Sequence, residues 1–479
     1  MTVRPAATFL DTRRSSLVWA TGLIAAVAMG LAIGVGQGAG AFLIIALLAA
    51  VLAPVLSLTS WCVLLLVTSI AGRGLVALFD LPALASFLHY PVAAGFAVCV
   101  ARRPATPASQ RIGRWLIGFV TLLTLSMLAN GSHPLRAMIF LIISGEPLLV
   151  LWAVVRWGPD AGTERRVGLA ALALLAIQVP LGLRQGMTLG WTDPVQGTLV
   201  GNGAGAHLLG GLFALGLLVA IGASLDRRIP WPISLAVAVV AVGMMIASGA
   251  NQVLIAVAAA LVTLPLTAWS ALRGRIGRRL LLGGAVLAIL LAATALVLMQ
   301  RTSHSGDILA RAEGLYRPDQ LPEVRLVQER LSRQPLQLVL GSGPGTSASR
   351  ASILLTPQML KESSPLAAFR LPPTEDALRI VSRVRVSGGG SAEAIASGTL
   401  GVLGDLGLLG LAGLALIVAG LWRQARRSGG WLAVSARGAL VMTTILLAVD
   451  NWLEYPEYAV PLALLLAFAL QQRSARTSP

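Results

Sequence analysis

The sequence predicts an all-α fold: a polytopic transmembrane helical bundle of about 14 spans with one large extracytoplasmic loop. Three observations carry that prediction. Of 479 residues, 56% are hydrophobic and 12% charged, about half the charged fraction of a soluble domain. Mean hydropathy is +0.80. Apolar runs close to the roughly 20 residues that a hydrocarbon core demands recur along the chain. A single water-exposed globule and a disordered chain are both excluded.

The runs fall at 17–36, 41–57, 60–78, 83–101, 113–130, 136–155, 167–183, 204–223, 231–248, 251–270, 281–299, 397–421, 433–450 and 457–471. The first follows Arg4, Arg13 and Arg14; it is longer than a signal h-region and lacks a clear small-residue cleavage site, so it reads as a span that stays attached. Residues 1–299 thus form eleven spans, 300–395 a polar loop, and 396–479 three further spans and a tail. The connections left over are short, and no second soluble domain fits. No repeat relates the two halves. The only cysteines, Cys62 and Cys99, lie inside apolar runs, and four histidines are scattered over the whole length. That distribution points to neither disulfide nor metal chemistry.

The net charge of +17 could suggest nucleic acid, but its distribution points to the bilayer. With the N-terminus in the cytoplasm, Arg102, Arg103, Arg111 and Arg114 follow span four, and Arg156, Arg165 and Arg166 follow span six. Arg227 and Arg228 follow span eight, and Arg273, Arg275, Arg278 and Arg279 follow span ten. Arg423, Arg426, Arg427 and Arg437 follow span twelve, and Arg473 and Arg476 lie in the tail. The short outward turns hold only Arg73, Arg136 and Arg184. This asymmetry is the positive-inside pattern, and it predicts that both termini are cytoplasmic and the long loop extracytoplasmic.

Within that loop, Pro322 to Arg333 reads as a short amphipathic helix stopped by Pro335, with Arg325, Glu329 and Arg333 on one polar row. Gly341-Ser-Gly-Pro-Gly345 forces a turn. Thr374 to Val386 fits a capped helix and a short strand equally well, and it carries Arg379, Arg383 and Arg385 before a Gly-rich hinge at 387–391. Arginine matches phosphate oxygens with a planar fork of donors. Arg73, Arg136, Arg184 and the trio at 379–385 are therefore candidate clamps for a lipid-linked diphosphate, against a bland reading as snorkelling or solvated charge. Glu146 and Asp405 lie within spans, where an ionisable group is paired or functional. Arg136 and Arg184 are possible partners for them. Asp450, Glu454 and Glu457 cluster with Asn451, Trp452 and Tyr455, rings that an interfacial aromatic belt explains. His207 reads as a helix-packing residue.

Three segments together resemble the O-antigen ligase and O-antigen polymerase superfamily of membrane glycosyltransferases. Gln196-Gly-Thr-Leu-Val-Gly-Asn-Gly-Ala-Gly-Ala-His207 is similar to that family's Gly-Thr-Phe-Gly-Asn-x-Asn turn. Leu340-Gly-Ser-Gly-Pro-Gly-Thr346 is similar to its Leu-Gly-x-Gly-Pro-Gly. Ala396-Ser-Gly-Thr-Leu-Gly-Val-Leu-Gly-Asp-Leu-Gly-Leu-Leu-Gly410 is similar to its His-Asn-x-x-Leu-x-x-Leu-x-Glu-Leu-Gly-Leu-Leu-Gly. The resemblance covers roughly residues 180–420.

It implies an extracytoplasmic, metal-independent and cofactor-free transfer of glycan from a polyprenyl-diphosphate donor, in the cytoplasmic membrane of a bacterium. It also implies that arginines hold the diphosphate, Arg325 among them, and that a histidine at the loop's end activates the acceptor. Here Ala396 takes the place of that histidine, Ser397 that of the asparagine, and Asp405 that of the glutamate. The departure favours a polymerase-like variant or a member with another base, the candidates being Glu393, Asp405 and His304. The competing class is a transporter or flippase of lipid-linked or anionic substrates, which would line its path with the same arginines and Glu146.

Overall fold

A computed structural model describes residues 56–79, 86–191, 194–199, 205–268, 335–347, 349–354, 371, 374, 378 and 397–471. All regular structure among these residues is helical. The helices are α1 (Leu58–Ile70), α2 (Gly72–Leu78), α3 (His89–Ala101), α4 (Pro107–Asn130), α5 (Pro134–Trp157), α6 (Ala161–Leu189) and α7 (Gly205–Leu225). There follow α8 (Trp231–Ala247), α9 (Asn251–Ala268), α10 (Pro335–Leu340), α11 (Arg350–Leu354), α12 (Gly398–Arg427), α13 (Trp431–Val449) and α14 (Pro456–Gln471). A 3₁₀ turn, Trp452–Glu454, links the last two.

Six of these helices, α4 to α7, α12 and α13, are long and apolar enough to cross a membrane, and the bent pair α1 and α2 makes up to seven. Helices α3, α8 and α14, with α9 from Asn251 to Leu264, are shorter and apolar. This is a helical membrane protein. The expected spans at 17–36 and 281–299, and nearly all of 41–57, lie outside the described residues, as does the Pro322–Arg333 helix.

Turn chemistry sets the helix ends. Thr106 and Ser109 cap α4 reciprocally with Pro107 in its first turn, and Gly131, at φ +60°, ends it in the left-handed region. Two expected spans differ from their sequence reading. The run 60–78 bends by 63° between α1 and α2, and the Thr198 hydroxyl donates to the Ile70 carbonyl at the break (3.0 Å). In the run 83–101, the described residues 86–88 precede the α-helix, which begins at His89.

Helices α7, α13 and α14 form the centre. Nearly every side chain on α14 is buried, whereas α4, α6 and α8 present Ile117, Leu128, Leu169, Leu172 and Val239 outward. An apolar outer surface on buried-centre helices is what lipid, not water, solvates. Glycines let helices approach closely: a Cβ on Gly211 of α7 would lie 2.5 Å from the Trp452 ring.

Hydrogen bonds between helix ends define one common face. The Arg156 guanidinium donates to the Ala101 carbonyl (2.7 Å) and Gln471 to Val155 (2.8 Å). Thr59 pairs with Thr163 (3.2 Å), and the Trp115 ring packs on Gly420. Arg102, Arg103, Arg111, Arg114, Arg156, Arg165, Arg166, Arg423, Arg426 and Arg427 thus share one arginine-rich end, and the Gly-rich motifs share the other.

Gly211→Val forces two branched carbons against Trp452. It is expected to cost about 1–3 kcal/mol, read as a lower unfolding temperature in detergent. Gly118→Ala, whose Cβ would meet no atom within 4 Å, is the control expected to leave that temperature unchanged.

Candidate functional site

At the motif end, α12 is broken. Gly407 has φ +67° and ψ −162°, so the helical ladder is interrupted and carbonyls of the preceding turn lose their partners. The segment after α10 supplies replacements. Ser342 N–H donates to the Gly404 carbonyl (2.7 Å) and Gly343 N–H to that of Asp405 (3.2 Å). Ser126 of α4 closes the joint, its hydroxyl lying 2.6 Å from the Leu340 carbonyl and 3.1 Å from that of Asp405. Gly341 (φ +73°) touches the Asp405 backbone so closely that no Cβ fits.

The Asp405 side chain completes this clasp. It accepts from three successive backbone N–H groups, those of Gly345 (3.2 Å), Thr346 (3.2 Å) and Ser347 (2.7 Å). Such a run of N–H groups forms an anion-binding concavity. Arg136 of α5, itself buried, donates to the Gly345 carbonyl (3.2 Å) and adds positive charge near Asp405.

A second carboxylate holds the far end of the same segment. Glu454 accepts from the Arg350 backbone N–H (2.7 Å) and the Ser144 hydroxyl (3.1 Å), while the Arg350 guanidinium donates to the Glu454 carbonyl (2.7 Å). That guanidinium stacks over the Tyr455 ring, 4.4 Å from its centroid. Burial pushes the Glu454 carboxyl above its ordinary range, and donors from Asn451, Arg350 and Ser144 oppose the push.

Two more buried acids lie nearby. His89 Nδ1 is 2.8 Å from Glu146, and Arg73 Nε is 2.9 Å from Glu457. Tyr90 feels the charges of Glu146, Arg350, Glu457 and Glu454 together. Beside this network runs a cavity of about 890 Å³ between α4 and α12. Ser144, Asn451 and Glu454 line its motif end, and Leu406, Phe119 and Phe140 line its apolar wall.

Of the site residues expected from sequence, Asp405 and Arg136 meet in the clasp. Asp405 is fully buried and its oxygens accept from loop N–H groups, an arrangement that anchors the loop. Arg73 is committed to Glu457, and Arg184 is exposed on α6, away from the clasp. Arg325, Arg379, Arg383, Arg385, Glu393 and His304 lie outside the described residues. At the element predicted from Thr374, Leu378 N–H donates to the Thr374 carbonyl (3.0 Å).

Two expectations are corrected. Glu146 takes His89 as its partner, because α3 packs against α5 at that level. Trp452 and Tyr455 are 1% exposed; Trp452 packs on Gly211 of α7 and Tyr458 of α14, Tyr455 lies under the Arg350 guanidinium, and the two buried rings form no interfacial belt. Arg350, which ties the loop to the bundle, was not singled out in the sequence, and Glu454, its partner, stood out only as one of the acids at 450–457. The available signal was an arginine five positions beyond a Gly-Pro-Gly turn and an acid between two spans.

The described start of the first motif, 196–199, is a docked turn. Gln185 accepts from the Gln196 and Gly197 N–H groups (2.9 and 2.7 Å), and Gln178 accepts from that of Thr198 (2.8 Å). His207 is half-buried in the first turn of α7. Among the described residues, no group of three or more His, Cys, Asp or Glu side chains could hold a metal ion.

Asp405→Ala leaves three N–H groups without an acceptor. It is expected to destabilise by about 1–3 kcal/mol and to open 341–347 to protease, with Asp405→Asn milder. Glu454 gives a pH signature. Because its folded pKa is raised, its contribution is fully present below about 4.5 and is lost as pH rises through the folded value. Thermal stability should therefore decline over that window, and Glu454→Gln should flatten the decline. No protein-family model matches the chain, and no curated protein matches it.

Proposed function

We propose that the protein is a membrane glycosyltransferase of the O-antigen ligase and polymerase type. It polymerises or ligates glycan carried on a polyprenyl diphosphate at the outer face of a bacterial cytoplasmic membrane. The observation that carries this reading is the clasp. Two of the three segments that resemble the family, Leu340–Thr346 and 396–410, meet through the Asp405 carboxylate at the end of the bundle opposite the arginine-rich face. In this reading about fourteen spans hold both termini in the cytoplasm, and residues 300–395 form an outer lid over donor and acceptor. Arg379, Arg383 and Arg385, with Arg184 and Arg325, bind the diphosphate. Arg73 and Arg136 act as structural cations. Charge stabilisation of the departing diphosphate supplies much of the rate, and Glu393 or His304 takes the acceptor proton. No metal or other cofactor is required, and the partners are the lipid-linked glycan and the bilayer, with no role for nucleic acid.

A second reading, a transporter or flippase of lipid-linked or anionic substrates, draws on the buried pairs His89–Glu146 and Arg73–Glu457. Purified protein given a lipid-linked oligosaccharide is expected to lengthen or transfer the glycan without added metal. Arg383→Ala and Arg385→Ala should each lower turnover by tenfold or more, the effect of losing about 1.4 kcal/mol of transition-state stabilisation. Equilibration of labelled lipid-linked sugar across proteoliposomes with no change in glycan length would instead establish the second reading.

A further inference from the structure

The cavity between α4 and α12 ends, opposite the clasp, among four arginines. Arg111 and Arg114 lie three apart on α4, and Arg423 and Arg427 four apart on α12, so each pair shares one helix face. All four line the cavity and are exposed. The ion pairs formed by described residues lie elsewhere, at Arg73, His89 and Arg228, so no described carboxylate neutralises this cluster. Arg423 Nε donates to the Ala419 carbonyl (3.2 Å), which leaves the rest of its fork open.

The walls below this mouth are apolar and set back. Gly118 and Gly413 line the cavity, and a Cβ on either would meet no atom within 4 Å, so the glycines face open space. At about 890 Å³ the cavity lies toward the upper end of the roughly 300–1,000 Å³ range of clefts that enclose small molecules. Along α12, the lining residues Leu409 to Arg427 span about 27 Å at helical rise.

We propose that this cavity holds one anionic membrane lipid, with its phosphate between the arginine pairs and one acyl chain along the glycine-lined groove. Charge decides the polarity. At the clasp end the cavity meets the Glu454 carboxylate, and the Arg350 guanidinium there is turned onto the Glu454 carbonyl and Tyr455. A phosphate at that end would face an acid; at the other it meets four cations on a membrane surface, where each arginine adds to the attraction for anionic headgroups. Surface snorkelling would leave arginines spread around the bundle, whereas these converge on one opening from two helices distant in sequence. The proposal is independent of the transferase reading, because its ligand lies at the opposite face and its readout is lipid retention.

Delipidated full-length protein in a neutral detergent should be titrated with phosphatidylglycerol, phosphatidylcholine and inorganic phosphate, and followed by native mass spectrometry and thermal shift. Phosphatidylglycerol is expected to be retained at least tenfold better than phosphatidylcholine. The quadruple variant Arg111→Ala, Arg114→Ala, Arg423→Ala, Arg427→Ala should erase that preference, and Gly118→Leu with Gly413→Leu should weaken both lipids while the protein stays folded. Equal retention of the two lipids by the unaltered protein overturns the proposal. So does a preference that survives the quadruple arginine substitution, retention of both lipids undiminished by the glycine substitutions, or protection by inorganic phosphate equal to that by phosphatidylglycerol.

Discussion

An apolar phase offers no water to an unpaired carbonyl, and the break in α12 creates such carbonyls inside the bundle. The motif end of the molecule is organised around that constraint. The Gly341–Ser347 segment lends its N–H groups to the Gly404 and Asp405 carbonyls, and the Asp405 carboxylate in turn collects the N–H groups that the tight glycine turns leave pointing inward. Helix and loop each satisfy what the other exposes. Neither has a complete hydrogen-bond inventory alone.

From that joint the rest of the end face follows. Arg136 reaches the loop because α5 begins directly beneath it, and Ser126 does so from the last turn of α4. Beyond the turn, the chain continues into α11, where Arg350 is fixed by Glu454 and Tyr455. The buried acids near this face, Glu146, Glu454, Glu457 and Asp405, each have a basic group or a set of N–H donors within reach. Uncompensated charge in such surroundings is strongly unfavourable, so these pairings hold particular helices in register.

What could be read in the sequence divides along the same physical line. Helical class and the gathering of arginines at one end were legible, because hydropathy and alternating loop charge are one-dimensional properties of the chain. The Gly-rich turn and Asp405 were each conspicuous. Their union was not, since it joins residues about sixty positions apart through a helix break that no periodicity announces. Glu146 looked equally ready for Arg136 or Arg184, and only the packing of α3 on α5 brings His89 to it. Trp452 and Tyr455 have the composition of an interfacial belt, yet Gly211 opens a slot that takes the Trp452 ring into the core.

The break in α12 also bears on how the chain is assembled. A helix with bare carbonyls is a poor guest in a bilayer, but residues 341–347 leave the ribosome before 404–407 do. The segment that completes the helix is therefore already made when the helix arrives. Biogenesis can proceed in chain order, with each incomplete element meeting its complement as it emerges. A permuted chain that began at Gly398 would have to insert the broken helix first and hold it unsatisfied until the loop followed.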